Sequence, residues 1–293
     1  MSSSDTNLLA IVLDCNPVWW GQLLSQNSEV SFTKCVDALI VFCNAHLMLD
    51  QANKLCLIIA HNKQNQYIYP KTKSEGEVDM LEDDNKPQSD GMYEPFADLT
   101  HVVKEQICDL VLNDNSTELN SDCMLTGAMS MALCYINRVT KEASPTETVS
   151  SRILVIKGSK DSSAQYMNFM SLMFTAQKMN VVLDACILDN DSNLLKQGCD
   201  ILDGVYLKLP QLSGFMEYLL CLYLPSPSTR HQLTLPPRIP VGHKAACFCH
   251  RSLIDIGYIC SVCLSIFCTY DSICPTCQSI LKFQTPQRKK MKM

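Results

Sequence analysis

The chain alternates short, uniformly apolar runs with longer stretches in which apolar residues recur every three or four positions. Asn7–Asp14 (NLLAIVLD) is apolar almost throughout and closed by an acid, the pattern of a strand buried on both faces of a parallel sheet. Thr33 can cap a helix that carries Val36, Leu39, Ile40, Cys43 and Leu47 at helical spacing. Asn53–His61 predicts a second buried strand, and Gln66–Tyr69 a short pairing strand. Residues 71–98 are polar, acidic and broken by Pro87, Gly91 and Pro95, which predicts a surface insertion. Amphipathic helices follow on Leu99, Val103, Ile107 and Leu110, and, after the polar stretch 113–122, on Leu125, Met129, Ala132 and Ile136. Then come strand Ile153–Lys157, a helix on Tyr166, Phe169, Met170 and Met173, strand Asn180–Leu188, a short helix Asn193–Cys199, strand Gly204–Leu207 and helix Leu212–Tyr223. The methionine and aromatic stripes read as core packing. Strands alternating with helices predict an α/β fold: an open, mostly parallel sheet with helices on both faces. Five prolines in 225–240 can continue neither element and predict a stiff connector over 225–243.

After that connector the pattern changes to cysteine. Cys247-x-Cys249-His250, Cys260-x2-Cys263, Cys268 and Cys274-x2-Cys277 place seven of the chain's seventeen cysteines in one short stretch. Two C-x2-C pairs ten residues apart are the arrangement a tetrahedral zinc ion needs, because each knuckle presents two thiolates on one side. Cys260, Cys263, Cys274 and Cys277 are the candidate ligands of one structural zinc. Cys247, Cys249, His250 and Cys268 are candidates for a second, interleaved site, although Cys247-x-Cys249 is not a standard knuckle and Cys268 stands alone. Four protein ligands leave no open position, so such a site is structural rather than catalytic. Gln278–Lys282 could begin a short helix. The predicted organisation is therefore a body over 1–224, the connector, a zinc-binding module over 244–283 and a basic tail over 284–293.

Composition changes the picture in two places. With 47% hydrophobic and 18% charged residues the chain is globular in character. Met1–Asn7 lacks the basic-then-apolar pattern of a secretion signal, which predicts reduced cysteines. The apolar runs, such as Tyr218–Leu224, read as too short to cross a bilayer. From Lys244 onward seven Lys or Arg face only Asp255 and Asp271, so the tail carries +5 and the rest −11 of the total −6. An acidic body argues against nucleic-acid binding by the larger part. The run Arg288–Lys292 reads as a nuclear address, a phosphate contact or a solvated end. Nucleotide-binding G-x4-G-K-[ST], G-x-S-x-G and His-Glu-x2-His are absent, and His46 and His61 read as ordinary element-end residues.

The order of elements resembles the von Willebrand factor A-type domain. In that family an Asp-x-Ser-x-Ser loop, a later Thr and an Asp after a central strand supply oxygen ligands to a divalent cation. Here the loop reads Asp14-Cys15-Asn16-Pro17-Val18, Met124 stands at the position matching the Thr ligand, and Ile156-Lys157-Gly158 replaces Thr-Asp-Gly. The resemblance therefore implies a degenerate site without magnesium, with Lys157 forming an ion pair near Asp14.

An A-type domain followed by a cysteine-rich module further resembles the smaller A-domain/zinc-finger subunits of the general transcription factor IIH core. Asn16–Gly21, Ser151–Lys157, Gln165–Met170, Ala246–Arg251 and Gly257–Cys268 carry that likeness. It implies a nuclear, non-catalytic scaffold in RNA polymerase II transcription initiation and nucleotide excision repair. The implied partners are the other A-domain/zinc-finger subunit and, in the same assembly, the helicase and translocase subunits, with no membrane and no direct nucleic-acid contact. Two other functions fit the residues alone. A ubiquitin-ligase component needs two interleaved zinc sites, and a DNA-binding protein would have to act through the module and the basic end.

Overall fold

The structure, a computed structural model, describes residues 5–25, 31–70, 94–112, 122–144, 147–237, 245–250 and 252–280. The chain forms two compact units: residues 1–162 with 168–241, and residues 163–167 with 242–293. Most of the predicted acidic insertion, the polar stretch before Asp122 and the basic run 288–292 lie outside the described residues.

The first unit is built on a six-stranded sheet of β1 (Asp5–Asp14), β2 (Lys54–Ala60), β3 (Asn65–Tyr69), β4 (Thr148–Lys157), β5 (Val182–Ile187) and β6 (Tyr206–Lys208). Its order is β3-β2-β1-β4-β5-β6; every neighbouring pair is parallel except the antiparallel β2 and β3. The apolar runs become the central strands because both faces are covered. Leu9, Ile11 and Leu13 join a cluster with Leu39 and Phe42 of α2 (Phe32–Leu49), Leu99 and Val103 of α3 (Glu94–Leu112), and Phe215 of α7 (Phe215–Tyr218). The alternate residues Leu8, Ala10 and Val12 are equally buried, and α4 (Leu125–Glu142) packs against β1 and β2.

Several boundaries differ from the sequence reading. The cap of α2 is Ser31, whose hydroxyl accepts from Lys34 N at 3.3 Å, rather than Thr33. By length and composition α2 could cross a bilayer, contrary to the expectation that no run would, yet Cys35, Val36, Leu39, Ile40, Phe42, Cys43 and His46 are buried within this unit. Helix α3 begins at Glu94, inside the expected insertion, because Pro95 sits in the first turn, where its missing N–H costs nothing. Helix α1 (Pro17–Ser25) was not anticipated; Asn16 starts it, its side chain accepting from Val18 N at 3.0 Å. Helix α5 (Tyr166–Lys178) and α6 (Asn193–Ile201) stand where expected. Leu212–Tyr223 is helical, but α7 is flanked by a 3-10 turn, Leu212–Gly214, and a π-helical turn, Leu219–Tyr223.

The π turn ends on Arg152, a fully buried residue of β4. Its guanidinium donates to the carbonyls of Tyr223 (2.6 Å), Leu224 (3.1 Å) and Pro225 (2.8 Å), which a helix end otherwise leaves unsatisfied. Residues 225–237 of the proline-rich segment read as a connector then stay on this unit. Arg230 is buried and bonds both oxygens of Asp184 on β5, at 2.8 and 2.5 Å.

The second unit contains two small hairpins, β7 (Ala245–Ala246) with β8 (Leu253–Ile254) and β9 (Tyr258–Ile259) with β10 (Ile266–Phe267). The helix expected from Gln278 does not start there. Gln278 has φ of 58°, and Ile280 bridges back to Ile273.

One glycine is set by close approach. A Cβ on Gly204 would lie 1.6 Å from the Leu183 carbonyl oxygen of β5, so β6 can enter the sheet only over a bare backbone. Gly204→Ala should therefore lower stability by about 2 kcal/mol or more. Urea unfolding of the full chain checks this, and an unchanged midpoint would contradict the packing described.

Candidate metal centres

The cysteine-rich unit brings together both groups of candidate ligands. The ligand atoms of Cys260, Cys263, Cys274 and Cys277 all lie within 4.8 Å of one another, as do those of Cys247, Cys249, His250 and Cys268. Each knuckle is made by the backbone. Cys260 N donates to Ser265 O, Leu264 N to Cys260 O, Cys274 N to Ser279 O and Gln278 N to Cys274 O. The residue after each C-x2-C, Leu264 or Gln278, takes a left-handed conformation with φ of 59° or 58°. That conformation costs a residue with a Cβ about 1 kcal/mol, and here it turns two sulfurs of each knuckle toward one point. Along the chain the clusters alternate: Cys247, Cys249 and His250 of one precede Cys260 and Cys263 of the other, Cys268 returns to the first, and Cys274 and Cys277 complete the second. The arrangement is crossed, and it brings the isolated Cys268 to within 3.4 Å of the Cys249 sulfur and 3.2 Å of His250 Nδ1.

Hydrogen bonding divides the thiols. The Ser252 hydroxyl, with backbone N–H groups, holds Cys247 down to about 5, and the Cys263 and Val262 backbones with the Ser279 hydroxyl hold Cys260 at about 6. The Ser279 hydroxyl also lowers Cys277, whereas burial pushes Cys274 up to about 11. Among its described residues, the buried apolar ones are Ala246, Cys247, Cys260, Phe267 and Cys274, of which Cys260, Phe267 and Cys274 form one cluster. Meanwhile Ile256, Ile259, Val262, Leu264 and Ile280 are each more than half exposed.

The second candidate locus is the crevice at the ends of β1 and β4, the strands between which the sheet's connections reverse direction. Asp14 is fully buried. Its Oδ1 accepts from Asn16 N at 3.1 Å; its Oδ2 accepts from Gly158 N at 3.3 Å, Ser159 N at 2.9 Å and Ser159 Oγ at 2.5 Å. Lys157 does not pair with Asp14 as the resemblance implied. It turns to Asp161, four residues on, because Asp14 already accepts from the loop that follows β4. Asp161 also accepts from Ser192 Oγ at 2.7 Å and from Leu194 N at 3.4 Å, so this carboxylate covers the start of α6. Trp19 closes the crevice over Gly158, where a Cβ would lie 2.4 Å from the ring, and donates from Nε1 to Asp189 at 3.2 Å. Val18 and Met124 bring no oxygen ligand in their side chains, and Met124 is 45% exposed. Ser159 and Asp161 were missed in the sequence reading; the run Lys157-Gly158-Ser159-Lys160-Asp161 at a strand end was their only signal.

The chain is similar to the general transcription factor IIH subunit 3 of Dictyostelium discoideum, at 35% identity over 91% of this chain and 73% of that protein. It is also similar to the general transcription and DNA repair factor IIH subunit tfb4 of Schizosaccharomyces pombe, at 32% identity over 99% of this chain and 93% of that one. Among solved structures, the N-terminal domain of TFIIH p34 superposes with a TM-score of 0.60 at 24% identity, over 73% of this chain and 96% of that one, which shows the fold. The family model for transcription factor Tfb4 matches residues 6–278, and the chain belongs to that family.

Proposed function

We propose that this chain is a non-catalytic structural subunit of the general transcription factor IIH core, serving transcription initiation by RNA polymerase II and nucleotide excision repair in the nucleus. The similar proteins bear the names of subunits of that factor. The observation that carries the non-catalytic reading is the crevice. In an A-type domain a ligand or cation is received there, but here Asp14 accepts four hydrogen bonds from the chain itself, and Lys157 brings an ammonium paired with Asp161. A magnesium ion would have to displace backbone N–H groups and sit near a cation, so none is expected. The partners are the other A-domain/zinc-finger subunit and, through the assembly, the helicase and translocase subunits, held by packed surfaces at both units.

Zinc suits both cysteine clusters. Tetrahedral zinc with sulfurs at about 2.3 Å separates neighbouring sulfurs by about 3.8 Å. The Cys260–Cys277 and Cys263–Cys274 sulfurs are 3.7 and 3.6 Å apart. An imidazole nitrogen ligand would lie about 3.5 Å from each sulfur, and His250 Nδ1 is 3.2 Å from Cys268 and 3.9 Å from Cys247. Bound there, the ion supplies folding free energy, which a unit whose described residues bury Phe267, Ala246 and three cysteines requires. Protein purified without chelator should carry two zinc ions per chain by elemental analysis. Replacing Cys260 and Cys274 with Ser should abolish the fold of residues 245–280 and leave the first unit's unfolding midpoint unchanged. A chain free of zinc would end this assignment.

The crossed order of the ligands also favours a second reading, a ubiquitin-ligase component, since interleaved zinc sites are what that activity needs. It is separated by discharge of ubiquitin from a charged conjugating enzyme. No acceleration by the full chain is expected, whereas acceleration lost in the Cys260/Cys274 double variant would favour the ligase.

Capture of the other A-domain/zinc-finger subunit should fall for the double variant and be indifferent to magnesium. A pull-down in magnesium-free and magnesium-containing buffer measures both. Capture that depends on magnesium, or that is untouched by loss of the second unit's fold, contradicts attachment at both units.

A further inference from the structure

Three ionisable side chains meet where the chain leaves the sheet: Arg152, Asp184 and Arg230, with relative exposures of 0%, 1% and 5%. Two guanidinium groups share the field of one carboxylate. Asp184 accepts both hydrogen bonds of Arg230 and a third from Val205 N at 2.9 Å, while Arg152 spends its donors on the carbonyls of residues 223–225. Between these anchors the chain makes a tight turn of its own, Arg230 N donating to Ser226 O and Leu233 N to Arg230 O. Beyond it Leu235 and Pro236 are half-buried and line, with Val182, Cys199 and Tyr206, a cavity of about 260 Å³. A proline-rich segment free in solution would have no reason to bury an arginine against a strand carboxylate.

We propose that Arg152, Asp184 and Arg230 form a latch that straps residues 225–237 onto the first unit and so sets where the tether to the cysteine-rich unit begins. Seven residues separate Pro237 from Ala245, against twenty between Leu224 and Ala245. At roughly 3.4 Å per residue, the maximal reach falls from about 70 Å to about 27 Å. Where two linked contacts engage one partner, effective concentration falls as about the −3/2 power of tether length, so the latch raises it about fivefold. That consequence rests on the proposed attachment at both units; the latch itself does not.

The charges make the strap all-or-none. Releasing Arg230 leaves Asp184 buried beside a single guanidinium whose two terminal nitrogens already donate to the carbonyls of residues 223–225, and Arg152 loses the carbonyl of Pro225 if the segment peels further. Opening therefore exposes the turn as a unit rather than by fraying.

The test is amide hydrogen exchange on the full zinc-loaded chain without partner, so that its outcome is independent of any partner contact. In Arg230→Met and in Asp184→Asn, the amides of Arg230, Gln232 and Leu233 should exchange about tenfold faster or more, with β1 and β4 amides unchanged. Trypsin should spare the Arg230–His231 bond in the unaltered chain and cut it rapidly in Asp184→Asn. Should Asp184→Asn fail to fold, Arg230→Met still decides. Exchange at these amides unchanged in Arg230→Met, with β1 and β4 still protected, would overturn the latch, as would rapid cleavage after Arg230 in the unaltered protein.

Discussion

The sheet of this protein buries charge, and every buried charge has to be answered from within the chain. Asp14, Arg152, Lys157 and Asp184 stand on β1, β4 and β5 with almost no exposure. An ionised group left there without a partner costs several kcal/mol, enough to consume much of a domain's net stability. The answers shape the rest of the unit. Asp14 draws in the loop after β4, Lys157 and Asp161 draw that loop to α6, Arg152 ends the helical segment at Tyr223, and Asp184 takes Arg230. The same bonds that stabilise the fold thus close its crevice.

The second unit meets the opposite constraint. Its described residues bury few apolar side chains, and several of those they carry face solvent. Its order comes from sulfur geometry: two knuckles, each with a left-handed residue behind it, aim thiols at common points, and the crossed sequence of ligands ties the segment from Cys247 to Cys277 into one object. Such a unit presents Ile259, Val262 and Leu264 outward without loss of stability, because its stability does not depend on hiding them.

How much of this was legible in the sequence follows from the range of each interaction. The buried strands could be read because a strand covered on both faces needs an unbroken apolar run, and NLLAIVLD and ILVIK supply one. The C-x2-C knuckles could be read because their geometry is local. The cap of α2 slipped by two residues because Ser31 and Thr33 are chemically equivalent candidates. Helix α1 was missed because its start depends on an Asn16 side chain turning back to Val18 N. Arg230 and Asp184 are 46 residues apart, and nothing local marks either, so a run of prolines looked like a tether. Lys157 was recognised as foreign to a cation site, but its partner was misassigned to the nearest expected acid instead of Asp161, four residues on in the following loop.

The central claim is that the crevice of the first unit is closed by the chain's own donors. It is tested most directly by titrating the full, zinc-loaded chain with manganese and following the backbone amide resonances of Asn16, Gly158 and Ser159, which donate to Asp14. The expected result is no saturable paramagnetic broadening at these amides up to millimolar metal. Saturable broadening centred on them, and abolished in Asp14→Ala, would show an open cation site and contradict the closed crevice.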